Sequence, residues 1–167
     1  MMNDIAIRKM SATDWEFVAK IYKEGIDTGI ATFETNIPTF EVWDKAHMST
    51  CRFVAENNTE IMGWVALSTV SSRCVYGGVA EISVYISKNS RGKGLGKLLL
   101  EHVIKASEQE GIWTLQSGVF PTNYGSIKVH EATGFRKIGK RERIGKLHGK
   151  WVDNVLFERR SSVVGID

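Results

Sequence analysis

Hydrophobic positions change period several times along the chain, and each change marks an element. Residues 5–9 alternate apolar and polar, the period of a strand. Residues 11–14 read as a helix start, with Thr13 or Asp14 as the cap for a helix carrying Trp15, Val18, Ala19, Ile21 and Tyr22. That helix should fail near Gly25 to Gly29. Residues 31–38 are polar and aromatic without a period, which predicts a loop. Thr39 then caps a second helix, through Trp43 to Met48. Residues 52–56 form a short strand, Asn57-Asn58 a turn, and residues 61–70 the return strand of a hairpin. After an irregular loop over residues 71–78, alternation resumes. Ile82, Val84 and Ile86 fall on one face, and Glu81, Ser83 and Tyr85 on the other.

A long amphipathic helix comes next, from about Gly94 to Glu110. Leu95, Leu98, Leu99, His102, Val103 and Ala106 share its apolar face, and Gly111 stops it. Residues 113–119 make a strand, and residues 123 to about 133 a helix ended by Gly134. Phe135 opens a strand that runs into the charged residues 137–146. A turn at His148-Gly149 leads to the last strand, residues 151–158. The order β-α-α-β-β-β-α-β-α-β-β describes a mixed α/β (α+β) fold. One mostly antiparallel twisted sheet is flanked by helices, in a single domain over residues 1–160. Residues 161–167 are expected to fray.

The chain has 167 residues, enough for one sizeable core, with 43% apolar and 25% charged residues. A formal charge of +3 does not by itself call for nucleic acid or a membrane surface as partner. The two cysteines, Cys51 and Cys74, have no metal-ligand spacing and read as thiols in a reducing compartment. No apolar run is long enough to span a bilayer, and the first residues lack an apolar signal core, so a cytoplasmic protein is expected.

The chemistry concentrates where the alternating segment meets the long helix. Arg91-Gly92-Lys93-Gly94-Leu95-Gly96 joins them. A strand feeding a Gly-rich turn that opens a helix is an anion site, because backbone N–H groups converge there and the helix dipole adds to them. Arg91, Lys93 and Lys97 surround it with positive charge, so the ligand is expected to carry phosphate. A Walker loop is excluded by the missing Gly-Lys-Ser/Thr ending, and a dinucleotide fingerprint by spacing and position.

The R-x-x-G-x-G arrangement, with the strand before it and residues 123–135 after it, resembles the acetyl-CoA pyrophosphate loop of the GNAT N-acetyltransferase superfamily. Residues 31–43 (ATFETNIPTFEVW), 71–86 (SSRCVYGGVAEISVYI), 123–135 (NYGSIKVHEATGF) and 146–159 (KLHGKWVDNVLFER) are similar to a narrower group. That group is the phosphinothricin and methionine sulfone N-acetyltransferases. The chain departs from its pattern at Ser71, often Pro there, and at Gly77, often Arg or another polar residue.

The resemblance implies an enzyme with acetyl-CoA as cosubstrate and no metal. It transfers acetyl directly, in a ternary complex, to the α-amine of a small amino-acid-like acceptor. It also implies a homodimer. The backbone of Val84, Tyr85 and Ile86 would bind the pantetheine, and the N–H groups of Gly92, Lys93, Gly94, Leu95, Gly96 and Lys97 the pyrophosphate. Asn123 and Ser126 would touch the CoA. Glu81 is the expected general base, against the alternative of a strand glutamate in an ion pair. His130 is expected either to protonate the leaving thiolate or to pack beside the cofactor. Arg73 would hold the acceptor's carboxylate, unless it is a solvated loop residue, while Phe33, Glu34 and Tyr76 would line the acceptor pocket. Two other readings stand beside this one: another amine acceptor, such as a protein N-terminus or a polyamine, and a CoA-binding module without turnover.

Overall fold

The computed structural model describes residues 4–58 and 60–167. Residues 1–3, at the expected domain start, and residue 59, after the expected turn, lie outside the described residues. The strands are β1 (Ala6–Lys9), β2 (Phe53–Glu56), β3 (Ile61–Thr69), β4 (Val79–Ile86), β5 (Thr114–Val119), β6 (Arg136–Leu147) and β7 (Lys150–Arg160). The helices are α1 (Trp15–Ile26), α2 (Phe40–Ala46), α3 (Leu95–Gln109) and α4 (Tyr124–Ala132). Their order along the chain is the one the periodicities predict.

The strands form one seven-stranded sheet in the order β1-β2-β3-β4-β5-β7-β6. All neighbours are antiparallel except β4 and β5. A parallel pair needs a crossover, which α3 supplies. Each face of the sheet has its own core. On one side Leu95, Leu99, Leu100 and Val103 of α3 pack on Val65, Ala80, Ile82, Leu115 and Phe157. On the other, Val18 and Ile21 of α1 and Trp43 of α2 pack on Val54, Trp64 and Ala66. Because successive side chains on a strand point to opposite faces, β4 serves both cores. Ala80 and Ile82 are buried towards α3, and Tyr85 packs towards α1.

The Tyr85 ring lies against α1 at Gly25. A Cβ on Gly25 would sit 2.5 Å from the ring, so only glycine lets helix and strand approach this closely. Tyr85 also packs on Tyr22, with ring centroids 4.9 Å apart, and on Trp64 at 5.0 Å. Burial pushes its phenol pKa well above the ordinary value.

One local expectation is narrowed and another revised. Of the two cap candidates for α1 it is Asp14 that holds the helix start; its carboxylate accepts the Ser11 N–H at 2.8 Å and two bonds from Arg8 at 2.8 and 2.9 Å. Arg8 also reaches Glu56, which ties β1, β2 and the helix entry together. At the other end of the chain, Ser161 is buried rather than frayed. Its hydroxyl donates to Glu108 of α3 at 2.8 Å and accepts the N–H groups of Val163 and Val164. Backbone turns beyond the last strand are thereby anchored to the helix that precedes β5.

The Arg8 guanidinium holds the Asp14 carboxyl below the usual carboxylate range. A depressed folded-state pKa adds stability that is present above the unfolded value of about 3.9 and is lost as pH falls through the folded one. Wild type should therefore lose about 1 kcal/mol more than Asp14→Asn between pH 5 and pH 2, allowing for the half-exposed guanidinium. Urea denaturation across that range measures it.

Candidate active site

The site forms where β4 and β5 separate. The two pair only over Val79–Glu81 and Thr114–Gln116 and then diverge. On its other side β4 stays paired with β3 as far as Ile86. The backbone N–H and C=O groups of residues 82–86 that face β5 therefore have no strand partner. They line a cleft of about 770 Å³. Such groups need a hydrogen-bonding occupant or water.

One end of the cleft is the Gly-rich loop. Ile86 leads through a short 3-10 turn at Lys88–Ser90 to Gly92 at φ +75° and Gly94 at φ +81°, and α3 starts at Leu95. Two left-handed residues so close together require glycine. They turn the chain so that the first-turn N–H groups of α3, which no helical carbonyl can accept, face the opening. Arg91 folds back, its Nε donating to the Ile86 carbonyl at 3.2 Å. Glu24 at the end of α1 accepts the Lys88 N–H at 2.6 Å and fixes the loop from the other side. Asn123 caps α4 by accepting the Ser126 N–H at 3.2 Å, which sets α4 along the cleft wall.

Glu81 and His130 approach the cleft from opposite faces of the sheet. Glu81 shares the face of Tyr85, towards α1 and α2; its carboxylate accepts a bond from Gln116 Nε2 at 3.1 Å. His130 lies on the α3 side, 1% exposed, against Phe135 and Phe157. Its Nδ1 lies 2.7 Å from the Ser126 carbonyl oxygen. A carbonyl only accepts, so the proton is on Nδ1 and Nε2 carries a lone pair. Nε2 is buried and has no partner among the described residues. Burial holds the imidazole pKa below its ordinary value, so His130 is neutral near pH 7.

Of the residues singled out in the sequence, Phe33, Glu34, Glu81, Val84, Tyr85, Ile86, Arg91, Gly92, Gly94, Leu95, Gly96, Asn123, Ser126 and His130 all border this cleft. Phe33 comes from the loop between α1 and α2. It packs on Phe120, with ring centroids 4.7 Å apart, and lies over Gly145 of β6, where a Cβ would fall 2.9 Å from its ring. Lys93 and Lys97 are outside the lining; Lys93 Nζ donates to the Asn89 carbonyl, and Lys97 pairs with Glu101. Arg73 and Tyr76 are also outside it. They stack on each other in an exposed loop, with the guanidinium carbon 5.4 Å from the ring centre.

The cleft also includes residues that sequence reasoning missed: Ser117, Gly118, Phe120, Arg141 and Asn154. Gly118, inside a strand, was the available signal, since a strand glycine marks a close approach. Arg141 was hidden in a charged run that reads as a solvated face.

A sequence profile of the acetyltransferase (GNAT) family matches residues 15–135. The chain belongs to that family. It is 28% identical over 159 residues to the phosphinothricin N-acetyltransferase of Streptomyces viridochromogenes, covering 93% of this chain and 87% of the other. To the L-methionine sulfoximine/L-methionine sulfone acetyltransferase of Pseudomonas aeruginosa it is 25% identical, covering 92% of each. The structure of a phosphinothricin acetyltransferase from Sinorhizobium meliloti in complex with acetyl-CoA superposes with a TM-score of 0.88 at 25% identity, covering 98% of this chain and 92% of that one. No helix among the described residues is long and apolar enough to cross a membrane.

Nuclear magnetic resonance of ring-15N-labelled protein should find His130 as the Nδ1–H tautomer, neutral at about pH 7, with its midpoint below that of a free imidazole. A histidine buried neutral binds fewer protons folded than unfolded, so its contribution to stability is complete above pH 6.5 and falls as pH drops below it. A midpoint at or above 6.5 for this residue would contradict the assignment.

Proposed function

We propose that this protein transfers acetyl from acetyl-CoA to the α-amine of a small amino-acid-like acceptor, of the phosphinothricin, methionine sulfone or methionine sulfoximine type. The observation that carries the reading is the parted edge of β4 running into the Gly-rich loop. A pantetheine arm is a chain of amides, and an extended strand edge with free N–H and C=O groups matches it. A pyrophosphate matches the helix N-terminus at the same end of the cleft. The relatives' names supply the acceptor class. Supporting it, Glu34, Glu81 and Arg141 place both signs of charge around the cleft, which suits a zwitterionic molecule better than a polyamine.

In this reading the two substrates meet in the gap between β4 and β5. The cofactor lies along α3 and α4, and the acceptor enters beneath the loop that carries Phe33 and Glu34. The acceptor amine, mostly protonated near neutral pH, must lose a proton before it attacks. Glu81 receives it, directly or through water. The amine nitrogen then bonds to the thioester carbon, and a β4 backbone N–H supports the developing oxyanion. Collapse breaks the C–S bond and releases CoA thiolate, while the nitrogen gives up its remaining surplus proton to water. A thiol of pKa about 8.5 leaves readily as thiolate and takes its proton from solvent.

His130 in its Nδ1–H form has no proton on Nε2 to give. It acts here as a packing and hydrogen-bonding residue beside the cofactor rather than as an obligatory acid. Arg141, which lines the cleft, takes the acceptor carboxylate, the task first expected of Arg73. The homodimer implied by the resemblance belongs to the same proposal, and sedimentation tests it.

CoA release from acetyl-CoA with methionine sulfone, methionine sulfoximine, phosphinothricin, free amino acids, a polyamine and an N-terminal peptide tests the reading. Turnover is expected with the first three; turnover only with the peptide or the polyamine refutes the acceptor class. Glu81→Gln should lower kcat by about 100-fold or more with acetyl-CoA affinity unchanged. His130→Gln should lower it by no more than about tenfold. A larger loss for His130→Gln than for Glu81→Gln would reverse the two roles.

A further inference from the structure

Asn154 lies in β7 between Asp153 and Val155, and its side chain points to the face of the sheet opposite Val155 and Phe157, which are buried towards α3. That is the face of Glu81. Arg141 stands directly across from it on β6, so the two side chains share that face. Asn154 is only 8% exposed, and its Oδ1 is buried without a hydrogen-bond partner among the described residues. Both Asn154 and Arg141 border the cleft. The amide occupies the space left by a missing side chain. A Cβ on Gly118 of β5 would fall 2.8 Å from Nδ2 and 2.9 Å from Oδ1. Glycine at 118 and asparagine at 154 therefore form one local device: the first opens the floor of the cleft, and the second fills it with an amide.

A buried carbonyl oxygen without a donor is unfavourable in the empty protein. Nothing in the packing of the sheet needs it, since a leucine of similar size would satisfy the same space. The unmet need is for a hydrogen-bond donor arriving in the cleft from the acceptor side. We propose that Asn154, seated over Gly118, determines acceptor specificity by accepting a hydrogen bond from an N–H or O–H donor on the acceptor's side chain. This rests on the acceptor class proposed above and adds a direction of preference to it. Among the compounds concerned, methionine sulfoximine carries such a donor, the N–H of its S=NH group. Methionine sulfone offers only acceptor oxygens at the same place. A site built to pair a donor discriminates against a ligand that lacks one, because its own polar atom is then left unpaired.

The test compares CoA release with L-methionine sulfoximine and L-methionine sulfone for wild type, Asn154→Leu and Gly118→Ala. Melting temperature and acetyl-CoA Kd are measured on each. Wild type should favour the sulfoximine by about tenfold in kcat/KM. In Asn154→Leu the preference should shrink to within about twofold, with the loss carried by KM for the sulfoximine, acetyl-CoA Kd unchanged, and the melting temperature no lower than wild type. Gly118→Ala keeps the amide but displaces it, and should move the preference the same way. Equal treatment of the two compounds by all three proteins overturns the assignment of Asn154 alone, with the acceptor class intact. Asn154→Leu melting lower, with both activities lost in parallel and Gly118→Ala indistinguishable from wild type, assigns the amide to folding and overturns it too. Turnover of neither compound by wild type removes the acceptor class and this assignment with it.

Discussion

The structure turns on an interrupted ladder. A parallel strand pair inside a sheet ordinarily satisfies its backbone groups along its length, and β4 and β5 stop doing so after three residues. The surrounding architecture keeps that opening stable. β4 must be held from its other edge, which the long pairing with β3 does. It must also be held from both faces, which the two cores do. β5 in turn is fixed by six paired positions with β7. The opening is thus a gap between two rigid walls, and its unpaired backbone groups are available for a ligand at no cost in unfolding.

The same opening lets one strand serve two chemistries. Side chains alternate across β4, so the carboxylate of Glu81 and the imidazole wall formed by α4 are on different faces yet border one space. The cleft runs through the sheet rather than along it, so it is bordered from both faces at once. Residues bordering it from the two sides each carry a buried side-chain atom without a partner among the described residues, Nε2 of His130 and Oδ1 of Asn154.

Most of the fold was legible because its elements carry strong periods and explicit ends. Gly111, Gly134 and the caps Thr39 and Asn123 sit where helices stop or start. One end of the cleft was legible for a related reason: it is contiguous, a loop and two helix starts whose glycines and asparagine have few other uses. The rest of the cleft is assembled from β4, β5, β6, β7 and the loop after α1, at sequence separations that no local pattern connects. Arg73, singled out by residue type, lies outside that lining, in an exposed loop stacked on Tyr76. Arg141 was concealed among the charges of residues 137–146, because strand register, not composition, decides which of them faces the cleft. The choice between Thr13 and Asp14 at the start of α1 was left open for a similar reason. Asp14 is held by Arg8 and therefore faces back to the strand as well as to the helix.

The end of α1 is pinned twice, by Gly25 under the Tyr85 ring and by Glu24 on the Lys88 N–H. These contacts make it a fixed post shared by the sheet and the Gly-rich loop. The segment that carries Phe33 and Glu34 springs from that post and lands on the glycine of another strand, Gly145. Between the two anchor points, Thr28, Ile30, Ala31, Thr32, Phe33 and Glu34 all border the cleft. That wall of the cleft is therefore a bridge, clamped at both ends, whose residues can change without moving either anchor.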